Sequence, residues 1–197
     1  MKTYVNTKIK TYKFSSCDIC DAKCCSGSNG TIFNQVILDD FFELHNNFPI
    51  VFLLGDLGFL KPVVLFTNGK DYCKYLENNR CIIYENRPSV CKIYPLSPHL
   101  TNDAYIDLSC PAVGDEGEFI VKEGVVQDGF KDEILKDYKD KYINMHLYFE
   151  KFNKKENLEF FTKINEHSFY KFKEDLGDEY LKIHLSSLKN FDSYFTV

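Results

Sequence analysis

All eight cysteines of the 197-residue chain lie between Cys17 and Cys110, and none occurs from Pro111 to Val197. No other feature restricts the fold as much, because each thiol must be paired, ligated to a metal or buried inert. Eight in 197 is about 4%, below the ~8–10% of a short disulfide scaffold. The stretch Met1 to Phe14 is basic but lacks the apolar run of an export signal, so a reducing compartment is expected. There, clustered cysteines bind metal or do redox chemistry rather than pair. Thiolate is a soft ligand that suits zinc or iron–sulfur centres, not magnesium or calcium. Cys17 and Cys20 form a knuckle whose sulfurs converge on one ion, and four thiolates complete a zinc site or hold a 4Fe-4S cluster. Adjacent side chains point apart in extended backbone. Cys24 and Cys25 are therefore expected to serve different metals unless the chain turns sharply there, with the N-terminal cysteines and the later ones sharing ligands.

Composition narrows the remaining classes. The chain is 44% hydrophobic, with 18 Phe, 13 Tyr and no Trp, and its net charge is −5. That excludes disorder and predicts an aromatic core. Mild acidity argues against general nucleic-acid binding, which needs excess Lys and Arg. The most apolar window, Phe48 to Phe66, is broken by Gly55, Asp56, Gly58, Lys61 and Pro62, which suits a buried core segment rather than a bilayer span. A soluble, cytoplasmic protein with no membrane partner is expected.

The patterning predicts an α+β fold: a small metal-stapled cysteine domain with a short antiparallel meander and short helices, followed by a helical C-terminal region. The cysteine domain is placed at residues 1–115, and a connector plus mainly helical region packing on it at 116–197. One strand is expected within 1–16, another over Thr31–Leu38, and a helix from Asp39 through His45. Val63–Phe66 reads as a buried strand. Asn68-Gly69 is the stronger hairpin signal and Asn78-Asn79 the weaker one, between Tyr72–Leu76 and Cys81–Tyr84. Arg87-Pro88-Ser89 opens a short helix holding Cys91. Strands are expected over Ala104–Leu108 and Phe119–Lys122. Apolar residues from Phe130 to Phe152 recur at helical spacing; Leu158 to Phe172 suggests a second helix, and Tyr180 to Leu188 a third.

Cys17-x2-Cys20-x3-Cys24-Cys25, followed by Cys81-Ile-Ile-Tyr84-Glu85-Asn86-Arg87-Pro88-Ser89-Val90-Cys91, resembles the YkgJ-type cysteine-cluster family, a zinc- or iron-chelating domain with eight cysteines. The loop Gly27–Gly30, Cys73 ahead of Leu76, Pro95 and Cys110-Pro111 also fit. The resemblance covers residues 17–111. It implies that Cys17, Cys20, Cys24, Cys25, Cys73, Cys81, Cys91 and Cys110 are all metal ligands, holding zinc or iron, the latter as a 4Fe-4S cluster. Lys92 departs from the arginine common in relatives, and a lysine offers only a point charge there. Four thiolates on either centre leave net negative charge, so Arg87 is expected to donate to thiolates or backbone carbonyls.

The function expected is metal chelation. Two alternatives stand beside it. One is an iron–sulfur-dependent protein lysine N-methylase, because flagellin methylases resemble this family. No glycine-rich loop between a strand and a helix supports a nucleotide-like methyl donor. The other is a metal-delivery or adaptor protein whose C-terminal helices bind a protein partner, which exposed aromatics among Phe149, Phe152, Phe160, Phe161 and Phe172 would favour. No catalytic residue is assigned. His99, a histidine inside the cysteine block, reads as an exposed loop residue.

Overall fold

The computed structural model describes residues 2–17, 20–55, 58–98, 104–129 and 132–195; His99 and Phe130 lie outside them. Fourteen strands in four antiparallel sheets are found among the described residues. The N-terminal stretch holds two strands instead of one, β1 (Tyr4–Asn6) and β2 (Tyr12–Phe14), which join different sheets. After them come β3 (Phe33–Gln35), α1 (Leu38–Leu44), β4 (Ile50–Leu54) and β5 (Leu60–Leu65). Asp40, not Asp39, secures the start of α1: its carboxylate accepts the Ile37 N–H at 3.1 Å, and also Ser89 N–H at 3.0 Å and Ser89 O–H at 2.8 Å.

The two asparagine-bearing turns exchange the roles expected of them. Asn78 and Asn79 both adopt positive φ (48° and 59°), the geometry of a two-residue hairpin turn. They join β6 (Leu76–Glu77) to β7 (Arg80–Cys81). Asn68-Gly69 links no pair of strands. Its Asn68 side-chain oxygen instead accepts the backbone N–H groups of Lys70 and Asp71, an Asx turn.

Next come α2 (Ser89–Ile93), β8 (Leu96–Pro98), β9 (Ala104–Asp107), β10 (Val113–Gly114), β11 (Glu118–Lys122) and β12 (Val125–Val126). The helical spacing past residue 130 forms α3 (Asp132–Glu150), and α4 (Glu179–Ser187) answers the third expected helix.

The fold is mostly β, and the expected α+β arrangement with a helical C-terminal region is overturned. Where the second helix was placed, β13 (Leu158–Ile164) and β14 (His167–Phe172) form an antiparallel hairpin. The spacing of Leu158, Phe161, Ile164 and Phe169 fits a helix. The segment is nevertheless dense in aromatic and β-branched residues, which favour strands, and Asn165 takes a left-handed φ of 53° at the turn. A short α5 (Asp192–Phe195) ends the described chain.

The hairpin completes the largest sheet, ordered β13-β14-β4-β5-β3. Strands β4 and β5 are buried on both faces and therefore apolar almost throughout. Ile50, Phe52, Leu60 and Val64 face a cluster with Phe41, Phe149, Phe172 and Leu181. Val51, Val63 and Leu65 face the opposite one with Ile164 and Phe169. The alternation is the period of two that a strand imposes. A third cluster, including Ile93, Ile106, Ile120 and Tyr138, lies under the two smaller sheets β1-β9-β8 and β10-β2-β11-β12.

Strands β14 and β4 pair only at Tyr170 opposite Phe52. One step along the ladder, at Phe172 and Ile50, the His184 imidazole stands between the backbones. Its Nε2 accepts the Phe172 N–H at 3.1 Å, and its Nδ1 lies 2.7 Å from the Ile50 carbonyl. Ser187 Oγ accepts the Ile50 N–H at 2.9 Å. Helix α4 thus replaces strand–strand hydrogen bonds with side chains, satisfying buried backbone groups.

Candidate metal centre

Four separate stretches of chain bring the cysteines toward one another. Ala22 takes a left-handed conformation, and Lys23–Cys25 closes a single turn of 3-10 helix. The sharp turn removes the geometric ground for sending Cys24 and Cys25 to different metals. Their sulfurs lie 4.0 Å apart, close to the ~3.8 Å edge of a zinc tetrahedron with ~2.3 Å Zn–S bonds. Thr31 Oγ1 donates to the Cys24 carbonyl at 2.9 Å and fixes the far side of the turn.

The second stretch is tied to the first through its backbone. Cys73 N–H donates to the Cys25 carbonyl at 2.8 Å, Gly27 N–H to the Asp71 carbonyl at 2.7 Å, and Ser26 bridges Tyr72. Gly27 has no room for a side chain, since an added Cβ would stand 2.5 Å from Thr67 Oγ1 and 2.8 Å from Asp71 O. Cys81 follows on β7, opposite Leu76. Helix α2 carries Cys91, and Asp40 holds that helix by its first residue.

Cys110 sits in the turn after β9 under a fully buried carboxylate, Asp107. Asp107 Oδ1 accepts Thr3 N–H, Ser109 N–H and Ser109 O–H, while Oδ2 accepts Tyr94 O–H at 3.0 Å. Tyr94 in turn hydrogen-bonds the Cys110 thiol. No sequence pattern pointed to this support; it exists only because β1, β9 and the residue after α2 meet.

Cys17, Cys24, Cys25, Cys73, Cys81 and Cys91 line one cavity of about 710 Å³. Cys20 and Cys110 do not line it, but the Cys110 thiol feels charge on both Cys20 and Cys24. Among the described residues, no three histidine, cysteine, aspartate or glutamate side chains are gathered closely enough to hold a metal ion. None of the eight cysteines is joined in a disulfide.

Electrostatics shows why these thiols resist ionising together. Hydrogen bonding to Cys25, then burial, pushes the Cys24 thiol far up. Burial, helped by Cys81 and Cys24, raises Cys73 to about 11, and burial, helped by Cys20 and Cys24, raises Cys110 to about 11. Burial also pushes Cys91 up, with Cys24 and Cys73 adding to it. Two lysines stand by these sulfurs: burial lowers the proton affinity of Lys2, opposed by Asp107, Cys24, Cys91 and Cys25, and Lys74 offsets part of the rise at Cys73. Soft, anionic-when-ligated donors beside ammonium groups fit a soft cation chemically.

Arg87 departs from expectation. It borders the cavity, yet its Nε and Nη1 are buried without any hydrogen-bond partner, and its guanidinium carbon lies 3.5 Å from the Tyr84 ring centroid. The sequence reading also missed a wall of the cavity. Tyr138, Tyr142 and His146 stand four residues apart on α3 and all line it; that i, i+4, i+8 aromatic stripe was the available signal. No helix among the described residues is long and apolar enough to cross a membrane. No family model, curated protein or solved structure matches the chain.

Proposed function

We propose that this chain is a cysteine-cluster metal-chelating protein, holding zinc or an iron–sulfur centre through thiolates of its eight cysteines. The observation that carries the reading is that six of them line one cavity although they come from stretches up to 74 positions apart, Cys17 to Cys91. The 4.0 Å approach of Cys24 and Cys25 and the electrostatic influence of Cys20 and Cys24 on the Cys110 thiol support it further. Four thiolates drawn from Cys24, Cys25, Cys73, Cys81 and Cys91 would hold the centre, and Lys2 would offset the negative charge of the ligated sulfurs. Bound zinc would supply a structural cross-link, and an iron–sulfur centre one-electron chemistry.

Anaerobic purification followed by elemental analysis and visible absorption tests the proposal. Stoichiometric zinc with no colour, or iron and sulfide with charge-transfer bands, is the expected result. Metal-free protein that stays folded with eight titratable thiols would end it. The adaptor reading has less behind it: of the aromatics it relies on, Phe149 and Phe172 are buried in the core, while Phe160 is exposed but on a hairpin strand rather than a helix.

A further inference from the structure

The cavity is far larger than a metal centre requires. A zinc ion sits ~2.3 Å from each sulfur, within the sulfurs' own contact shell. A volume of about 710 Å³ instead falls in the ~300–1,000 Å³ range of small-molecule pockets. Part of the remaining wall is aromatic. On α3 the Tyr138 and Tyr142 rings stack at 6.3 Å, Tyr142 meets His146 edge-on at 4.4 Å, and Phe59 approaches His146 at 6.4 Å.

The charge of the lining is one-sided. Lys2, Lys61 and Arg87 border the cavity, and no aspartate or glutamate does among the described residues, in a chain whose net charge is −5. Lys2 faces the sulfurs. Lys61 belongs to the aromatic side, near enough to His146 that its charge adds to burial in lowering the imidazole's proton affinity. Arg87 keeps Nε and Nη1 covered and unpartnered. Buried N–H donors without an acceptor are costly and rare in folded proteins.

We propose that the aromatic side of this cavity binds an organic anion, with a flat apolar body against Tyr142 and His146 and a carboxylate or phosphate group received by Lys61, Arg87 adding positive charge to the same lining. The inference goes beyond metal chelation and does not depend on which metal, if any, the thiols hold.

Calorimetric titration of the full chain with 2-naphthoate, 2-naphthyl phosphate and the neutral 2-naphthamide tests it. Saturable one-to-one binding of at least one anion is expected, about tenfold or more tighter than the amide, as a charge-assisted contact would give. The tighter anion identifies the group, carboxylate or phosphate. Lys61→Gln should remove that preference and Arg87→Gln should weaken it, each leaving the amide unchanged. If Arg87→Gln does not fold, Lys61→Gln and the anion-to-amide comparison carry the test. Equal affinity for anions and amide, no saturable binding, or an anion preference that survives both substitutions would overturn the proposal. Elemental analysis of the same samples separates the two readings: metal-free protein that binds naphthoate sinks chelation alone, and metal-loaded protein that ignores charge sinks this inference alone.

Discussion

His184 makes the stability of this fold depend on pH in a way that can be worked out from its position. The imidazole is fully buried, bridges Phe172 and Ile50, and packs edge-on against Phe52 at 4.9 Å. With Nε2 accepting from an N–H, Nδ1 must carry the proton toward the Ile50 carbonyl, so the ring is neutral. Protonating Nε2 would set two donors against each other in an apolar site. Burial accordingly lowers its pKa from 6.5 to about 4. The unfolded chain therefore takes up a proton before the folded one does. Stability is whole above the unfolded value and falls as pH drops from 6.5 through about 4, by about 3 kcal/mol in total and about 2 kcal/mol by pH 5. Urea unfolding of the native chain and of His184→Gln, followed by circular dichroism from pH 7.5 to pH 4, isolates this effect. Carboxylates and thiols titrate in both proteins and cancel in the difference. The native chain should lose its advantage over the variant by about those amounts. Parallel pH profiles would refute the assignment of His184 as a neutral bridge.

Three further outcomes follow from other parts of the structure. Asp40→Ala removes three hydrogen bonds that start α1 and hold α2, and should cost about 2–4 kcal/mol in denaturant unfolding, with Asp40→Asn milder. Gly117 has φ +93°, and a Cβ there would stand 2.2 Å from the Phe14 carbonyl oxygen. Gly117→Ala should therefore lower the midpoint of thermal unfolding by the equivalent of more than about 1 kcal/mol. If the thiols hold metal, a strong chelator should abolish the tertiary signals of the cysteine-bearing half, because structural metal contributes an apparent ~10–16 kcal/mol, comparable to the ~5–15 kcal/mol stability of a whole domain. Unchanged near-ultraviolet dichroism after metal loss would contradict that.

Local features in the sequence were read well where a single element could satisfy them. The helix bearing Cys91 follows from Pro88, α3 from its apolar spacing, and the buried strand at Val63–Leu65 from its β-branched run. Reading failed where two periods coincide. Leu158, Phe161, Ile164 and Phe169 satisfy a helical spacing and also supply the aromatic, β-branched content of a hairpin. The sheet edge at β4 decided between them, since β14 can pair there and bury Phe169 and Phe172 on opposite faces. The turn signals failed for a similar reason. Asn68-Gly69 has the chemistry of a hairpin turn, but the backbone after it is taken by Ser26 and Gly27 of the cysteine loop.

By itself the sequence determined that this chain has a soft-donor set confined to its first 110 residues, an aromatic core and no nucleic-acid charge signature. Residue type and spacing along the chain suffice for that. Only tertiary structure decided that Cys24 and Cys25 turn to the same side and that Asp107 supports Cys110 through Tyr94. It alone placed the α3 stripe, Lys61 and Arg87 around the same cavity as the sulfurs. All but the first of those relations join residues far apart in the chain, and the Cys24–Cys25 turn is itself held by Thr31 and by Cys73 of a distant stretch.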